Sequence, residues 1–144
     1  MELRKESNLN FLGRFPLDID EARKHNDIIL IKKGERLPLI HGHNNHILYS
    51  FIASNKFVNI GTIKISINGF SEIESHKGDE GLIVLKGILT VRIVPEDFDE
   101  KDVNRPNYNI NKNEAFYIPG KTKHQYLNLN DEELEFFFAI GPEL

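Results

Sequence analysis

The feature that most restricts the fold is a succession of short apolar runs, rich in β-branched and aromatic residues, with turn-forming residues between them. Glycine, proline, asparagine and aspartate separate the runs at close spacing, and at most one helix is indicated. This pattern predicts an all-β protein, either a sandwich or a barrel. The predicted strands are residues 28–31, 36–40, 47–53, 57–67, 71–76, 81–86, 88–94, 108–111, 115–119, 124–129 and 134–140.

Two of these runs also predict which side chains face the core. Residues 82–85 are apolar at every position, which is typical of a strand buried on both faces. Residues 88–94 alternate instead, so their odd-numbered apolar side chains are expected to face inward, with Thr90 and Arg92 facing solvent.

The chain is expected to form one domain, because its 144 residues lie in the usual range for a single core. Residues 1–27 show little pattern apart from a short helix over residues 18–25, which predicts an N-terminal arm. A barrel is then expected over residues 28–144. Within it, the acidic segment 95–106, with a proline at each end, is predicted to be a solvated connector.

Composition excludes several classes of function. The chain has no cysteine, so disulfides, thiolate ligands and a cysteine nucleophile are all ruled out. Its net charge of -4 comes from mixed signs spread along the sequence, which argues against a nucleic-acid partner. No run approaches the roughly 18 apolar residues of a membrane span, and no secretory signal is present, so we expect no membrane partner and a cytoplasmic location.

Two stretches place possible metal ligands or acid-base groups on one face of a strand. Residues two apart project from the same face, so Glu74 and His76 can line one surface. Glu80 can fold back beside them after a Gly-Asp turn. His124 and Tyr126 share a face in the same way. If the two stretches meet, carboxylates and imidazoles converge.

The first stretch resembles the first motif of the cupin superfamily, His-x-His, three or four residues, Glu, six residues and Gly. The matching positions here are Glu74, His76, Glu80 and Gly87. Their spacing agrees throughout, but Glu74 stands where the first histidine usually does.

The second stretch resembles the second cupin motif, a proline, a histidine five positions later and an asparagine four after that. Pro119, His124 and Asn128 match it. Gly120 lies one place earlier than the usual glycine, and Asn113 replaces the glycine that normally opens the motif.

The resemblance implies a double-stranded β-helix, or jelly roll, with one divalent ion (Fe, Mn, Zn or Ni) inside the barrel. The implied ligands are Glu74, His76, Glu80 and His124. A carboxylate can replace an imidazole as a ligand, and its charge favours Mn or Fe(II) over Cu. Even without Glu74, two histidines and one carboxylate make an open-sided triad.

Two classes of function remain open. The first is an isomerase, lyase or dioxygenase acting on a small oxygen-rich substrate, with Glu74 and Tyr126 as catalytic candidates. Glu74 would be the fourth ligand or a general base. The second is a metal-free cupin that binds a sugar or organic acid without catalysis. Substrate-binding candidates are Tyr126 and two lysines before His124, Lys121 and Lys123.

His41, His43 and His46 form a separate cluster. The first two could chelate a metal from one strand face, but the glycine and asparagines among them mark a turn. The favoured interpretation is that they are surface residues, and a position at the edge of the pocket mouth is a further alternative.

Open sheet edges and uncovered aromatic residues in the arm further predict a homodimer.

Overall fold

The computed structural model of the chain describes residues 4–5, 12–17, 19–42, 45–95, 107–142 and 144. One α-helix, α1 (Ile19–His25), and a short 3-10 helix (Lys33–Glu35) occur among them. The strands are β1 (Arg4–Lys5), β2 (Leu37–His41), β3 (Ile47–Ser54), β4 (Asn59–Ile65), β5 (Asp79–Lys86), β6 (Leu89–Ile93), β7 (Asn107–Ile110), β8 (Ala115–Ile118), β9 (His124–Leu127) and β10 (Leu134–Gly141). The all-β expectation is therefore confirmed.

The strands form two sheets. The larger has the order β1-β2-β3-β4-β10-β5-β8, and the smaller has the order β7-β6-β9. Among the described strands, only β1 runs parallel to its neighbour, and the other pairs are antiparallel. One cluster of buried apolar side chains draws members from both sheets, which makes it a shared core.

Strand β10 illustrates why these residues form this core. Its side chains alternate between buried and partly exposed, and it lies between β4 and β5. Phe136 and Phe138 have no exposed surface, and the ring of Phe138 meets Tyr49 and Phe51 edge-on. Burying each phenylalanine contributes roughly 1.5–3 kcal/mol, so this strand anchors the inner face of the larger sheet.

Two predicted strands are absent from the described structure. Residues 28–31 form no strand, and the side chains of Ile28 and Leu30 are exposed, because this run pairs with none of the described strands. Residues 71–76 cross β9 with isolated bridges at Phe70 and Glu74 only. A ladder needs successive pairs, and this segment makes single contacts instead.

The predicted orientation of two side-chain sets was also wrong. Ile83 and Leu85 are exposed, because β5 lies in an antiparallel sheet that packs on one face only. Thr90 is buried rather than solvent-facing, and its hydroxyl donates a hydrogen bond to Asn109 Oδ1 at 2.8 Å. Strand β7 thus supplies a hydrogen-bond acceptor for the Thr90 hydroxyl, which the alternation of the sequence alone predicted to face solvent.

The helix expected over residues 18–25 is present as Ile19–His25. Most of the predicted connector, residues 96–106, and part of the predicted arm lie outside the described residues. Among the helices that are described, none is long and apolar enough to cross a membrane.

Candidate metal centre

The two motif-bearing stretches meet through their backbones. Glu74 and His124 exchange both backbone hydrogen bonds, N–H to carbonyl oxygen, at 2.9 Å each. Residues paired in this way across antiparallel segments project from the same face. The expectation that the two stretches converge is therefore confirmed, and the side chains of Glu74 and His124 are neighbours.

The turns beside these residues are tied together as well. The backbone N–H of Lys121 donates to the His76 carbonyl at 2.7 Å, and that of Gly120 donates to Asp79 Oδ1 at 2.7 Å. A side chain at Gly120 would collide with the carbonyl oxygen of Lys77. Hydrogen bonds from Tyr117 and Gly120 lower the pKa of Asp79. These contacts hold the loop that carries His76 against the loop that leads to His124.

The side chains of His76, Glu80 and His124 form a compact cluster, called here the triad. Their ligating atoms all lie within 4.8 Å of one another. Each histidine Nε2 is 3.9 Å from Glu80 Oε2. Because ligand bonds to a divalent ion are about 2.0–2.2 Å long, a small inward movement of the side chains would suffice to enclose one ion.

Each triad histidine directs its Nε2 atom to the triad and forms a hydrogen bond through its Nδ1 atom with a backbone carbonyl oxygen. His76 Nδ1 lies 2.8 Å from the carbonyl oxygen of Gly78, and His124 Nδ1 lies 2.8 Å from that of Thr122. A carbonyl only accepts, so Nδ1 carries the proton and Nε2 keeps its lone pair for a metal. His76 Nε2 is buried without a hydrogen-bond partner. The donor set therefore fits a divalent ion.

Tyr126 connects two members of the triad. Its hydroxyl lies 2.6 Å from both Glu80 oxygens and 3.1 Å from His124 Nε2, with almost no solvent exposure. Burial raises the pKa of Glu80 to about 8, which the hydrogen bond from Tyr126 opposes and the charge of Glu74 reinforces. Burial likewise lowers the pKa of His124 and raises that of Tyr126. Without an ion, the site favours uncharged groups.

Glu74 lies outside the triad, although it was predicted to be a ligand. Its Oε2 is 3.1 Å from His41 Nε2, and its Oε1 is buried without a hydrogen-bond partner. Three of the four implied ligands are thus brought together, and the fourth is directed to His41. The reason is the position of β2, which presents His41 to Glu74 from across the barrel.

Two residues near Glu74 received little or no weight in the sequence analysis. His41 was expected to be a surface residue, with metal binding and the edge of a pocket mouth as alternatives, and no role was predicted for Tyr49. The two rings meet edge-on at 5.5 Å, and burial, followed by the charges of Glu74 and Glu80, raises the pKa of Tyr49. A tyrosine at an inward-facing position of β3 was the available signal.

The remaining candidates lie away from the triad. Lys121 and Lys123 are exposed in the turn before β9. His46 is exposed, and His43 is outside the described residues. Asn128 is fully buried, and its side chain has a structural role. Its Nδ2 donates to the carbonyls of Ile65, Ser66 and Glu132.

A groove of about 480 Å³ lies on the outer face of the larger sheet. Arg36, Leu48 and Lys64 are among its lining residues. It is separate from the triad, whose members line the inner side of the barrel.

No protein-family model matches the chain, and no curated protein matches its sequence. Solved structures do match. The cupin-2 domain protein Rru_A2000 from Rhodospirillum rubrum has a TM-score of 0.59 at 17% identity, over 80% of this chain and 74% of that chain. An RmlC-like cupin from Shewanella frigidimarina has a TM-score of 0.61 at 9% identity, over 81% of this chain and 92% of that chain. The chain therefore has the fold of these cupin structures.

The chain is also similar to HppE, in a structure with Fe(II) and a substrate. The TM-score is 0.65 at 14% identity, over 80% of this chain and 61% of the HppE chain. Identities this low show the fold and leave the activity open. The expected double-stranded β-helix is thereby confirmed.

Proposed function

We propose that this cupin is a metal-dependent enzyme in which His76, Glu80 and His124 hold one divalent ion. The observation that carries the proposal is the triad geometry. The ligating atoms of two histidines and one carboxyl group lie within 4.8 Å of one another, and each histidine has its Nδ1 on a backbone carbonyl. Gathering these groups without exposed surface on Glu80 costs folding free energy. A bound cation would offset that cost.

Two histidines and one carboxylate leave coordination positions open for a substrate. Such an ion supplies Lewis acidity at a substrate oxygen, or dioxygen activation if it is Fe(II). A small oxygen-rich substrate and isomerase, lyase or dioxygenase chemistry are therefore proposed. The similarity in fold to HppE, seen with Fe(II) and a substrate, supports this direction.

Roles near the ion are also proposed for Tyr126 and for the two lysines before β9. Glu74 is the one candidate whose proposed role as a ligand changes. Tyr126 would hold the Glu80 carboxylate in position, and its hydroxyl would lie beside the reacting groups. Lys121 and Lys123 would attract an acidic substrate from outside. Glu74 could serve as a fourth ligand only if its carboxylate left His41.

Elemental analysis tests the proposal. Protein purified without chelator and reconstituted with Fe(II), Mn, Zn or Ni should hold about one ion per chain. His124→Gln should abolish binding, whereas His46→Gln, a change at an exposed histidine outside the triad, should not. A wild-type content below about a tenth of an ion per chain would refute the proposal.

One observation favours the alternative of a metal-free binding protein. The Tyr126 hydroxyl already satisfies the polar atoms of Glu80 and lies beside His124 without any ion. A thermal-shift comparison separates the two. Stabilisation by sugars or organic acids, with none from divalent ions, would support the binding protein.

We also propose that the chain is a homodimer with an N-terminal arm over residues 1–27 and a barrel over residues 28–144. Ile28 and Leu30 are exposed apolar side chains on one segment, as an interface would use. The molar mass measured by light scattering should be twice that of one chain, which is 16.6 kDa. A monomer at micromolar concentration would contradict this.

A further inference from the structure

The Glu74 carboxylate lies beside the triad but is directed away from it. Its backbone pairs with that of His124, and paired side chains on one face have Cβ atoms about 5 Å apart. His41 holds one carboxylate oxygen, Oε2, at 3.1 Å. The other oxygen, Oε1, is buried and accepts no hydrogen bond. The barrel therefore contains a buried acceptor oxygen without a hydrogen-bond partner, on a residue whose backbone pairs with that of His124.

An unused buried acceptor is unfavourable, because it has lost its hydrogen bonds to water without gaining any from protein. Such a group in a native protein calls for an explanation. A hydrogen-bond donor on a bound ligand supplies one.

Solvent also reaches the site from this side. The side chains of His41 and Glu74 are 31% and 19% exposed, whereas those of His76 and Glu80 are 9% and 0% exposed. A small molecule approaching the triad would thus arrive past Glu74. Its donor group would meet Oε1 as its other end reached the ion.

We infer that Glu74 is a substrate-binding residue that accepts a hydrogen bond from a hydroxyl group of the substrate, and that His41 is the residue that positions it. The inference rests on the proposed function for the ion at the triad. It also narrows the substrate class. A substrate that binds the ion through one oxygen and Glu74 through a hydroxyl group carries two oxygens, as 2-hydroxy acids and 1,2-diols do on adjacent carbons.

The test compares glycolate with acetate, which differ by the one hydroxyl that Glu74 would bind. Their dissociation constants are measured by calorimetry on the ion-loaded protein, after ion content has been determined for each variant. Glu74→Leu should lower the ratio of glycolate to acetate affinity by about ten- to a hundredfold, because it removes a hydrogen bond to a charged group. Glu74→Gln should lower it less, since an amide oxygen still accepts.

The positioning role of His41 has its own readout. His41→Ala should lower the affinity ratio, and His41→Gln should restore most of it, because a glutamine amide can still donate to Glu74. Ion affinity should stay unchanged in both variants. Asp131→Asn is the control for charge. Asp131 is exposed, and its substitution changes the net charge by the same amount as Glu74→Gln does.

Three results would overturn the inference. An affinity ratio that is equal in wild type, Glu74→Leu and Glu74→Gln would show that Glu74 does not contact the hydroxyl. Loss of the ion in folded Glu74→Gln would show that Glu74 is a ligand, with the proposed function intact. If the wild-type protein takes up no ion, both the proposed function and the inference about Glu74 are refuted.

Discussion

Glu80 has no exposed surface, and burial raises its pKa from an ordinary value of 4.5 to about 8. The folded chain therefore binds this proton more tightly than the unfolded chain does. The resulting stability is complete below the unfolded pKa and is lost as the pH rises through the folded pKa. Between about pH 6.5 and pH 8.5, linkage gives a loss of about 2 kcal/mol in the free energy of unfolding.

The pH range matters because His124 titrates in the opposite sense. Burial lowers its pKa, so the stability linked to His124 falls as the pH drops below its ordinary value of 6.5. Above that value His124 is neutral in both states. The slope predicted between about pH 6.5 and pH 8.5 thus belongs to Glu80.

Glu80→Gln should remove this slope from the metal-free protein. Glutamine has nearly the same shape, carries no charge, and can accept the hydrogen bond from Tyr126. At about pH 8 the metal-free variant should be more stable than metal-free wild type, by up to about 4 kcal/mol. A saturating divalent ion should reverse the order, because it stabilises only the wild type.

Urea unfolding of chelator-treated protein across this pH range measures the effect. Asp131→Asn, a change at an exposed acid, should follow the wild-type slope. Parallel pH profiles for wild type and Glu80→Gln would refute the reasoning, because they would show that another group carries the linkage.

Two further substitutions have distinct expected outcomes. Tyr126→Phe removes the hydrogen bond that lowers the pKa of Glu80, so the stability loss of metal-free protein should move to higher pH; an unchanged profile would argue against that bond. Asn128→Ala leaves three backbone carbonyls without their donor and should cost about 2–3 kcal/mol in urea unfolding, with ion content unchanged in elemental analysis. A loss of ion from folded Asn128→Ala would instead give this residue a part in the site.

The residues of the triad could be named from the sequence, because their spacing within each stretch is local and matches the two cupin motifs. His76 and Glu80 are separated by one turn, and His124 follows a turn of its own. The side-chain period of two along extended chain decides which residues share a face. These relations hold only within each stretch, so the resemblance to the cupin motifs was needed to join the three residues into one ligand set. In the structure, the backbone pairing of Glu74 with His124 brings the two stretches together.

The direction of Glu74 could not be predicted in this way. Parity placed it beside His124, which is correct, but its carboxylate binds His41, 33 residues earlier in the chain. That contact depends on where β2 lies in the sheet order. A side chain with several rotatable bonds takes the partner that the assembled barrel presents to it.

The same distinction separates the correct strand predictions from the incorrect ones. The sequence by itself determined an all-β chain and most strand positions, because turn residues and alternation are local properties. It also showed which triad residues share a face within each stretch. Only the tertiary structure decided that Ile83 and Leu85 are exposed, that Thr90 is buried and that Glu74 meets His41. Each of these depends on which element packs against the residue, and packing partners are brought together by folding.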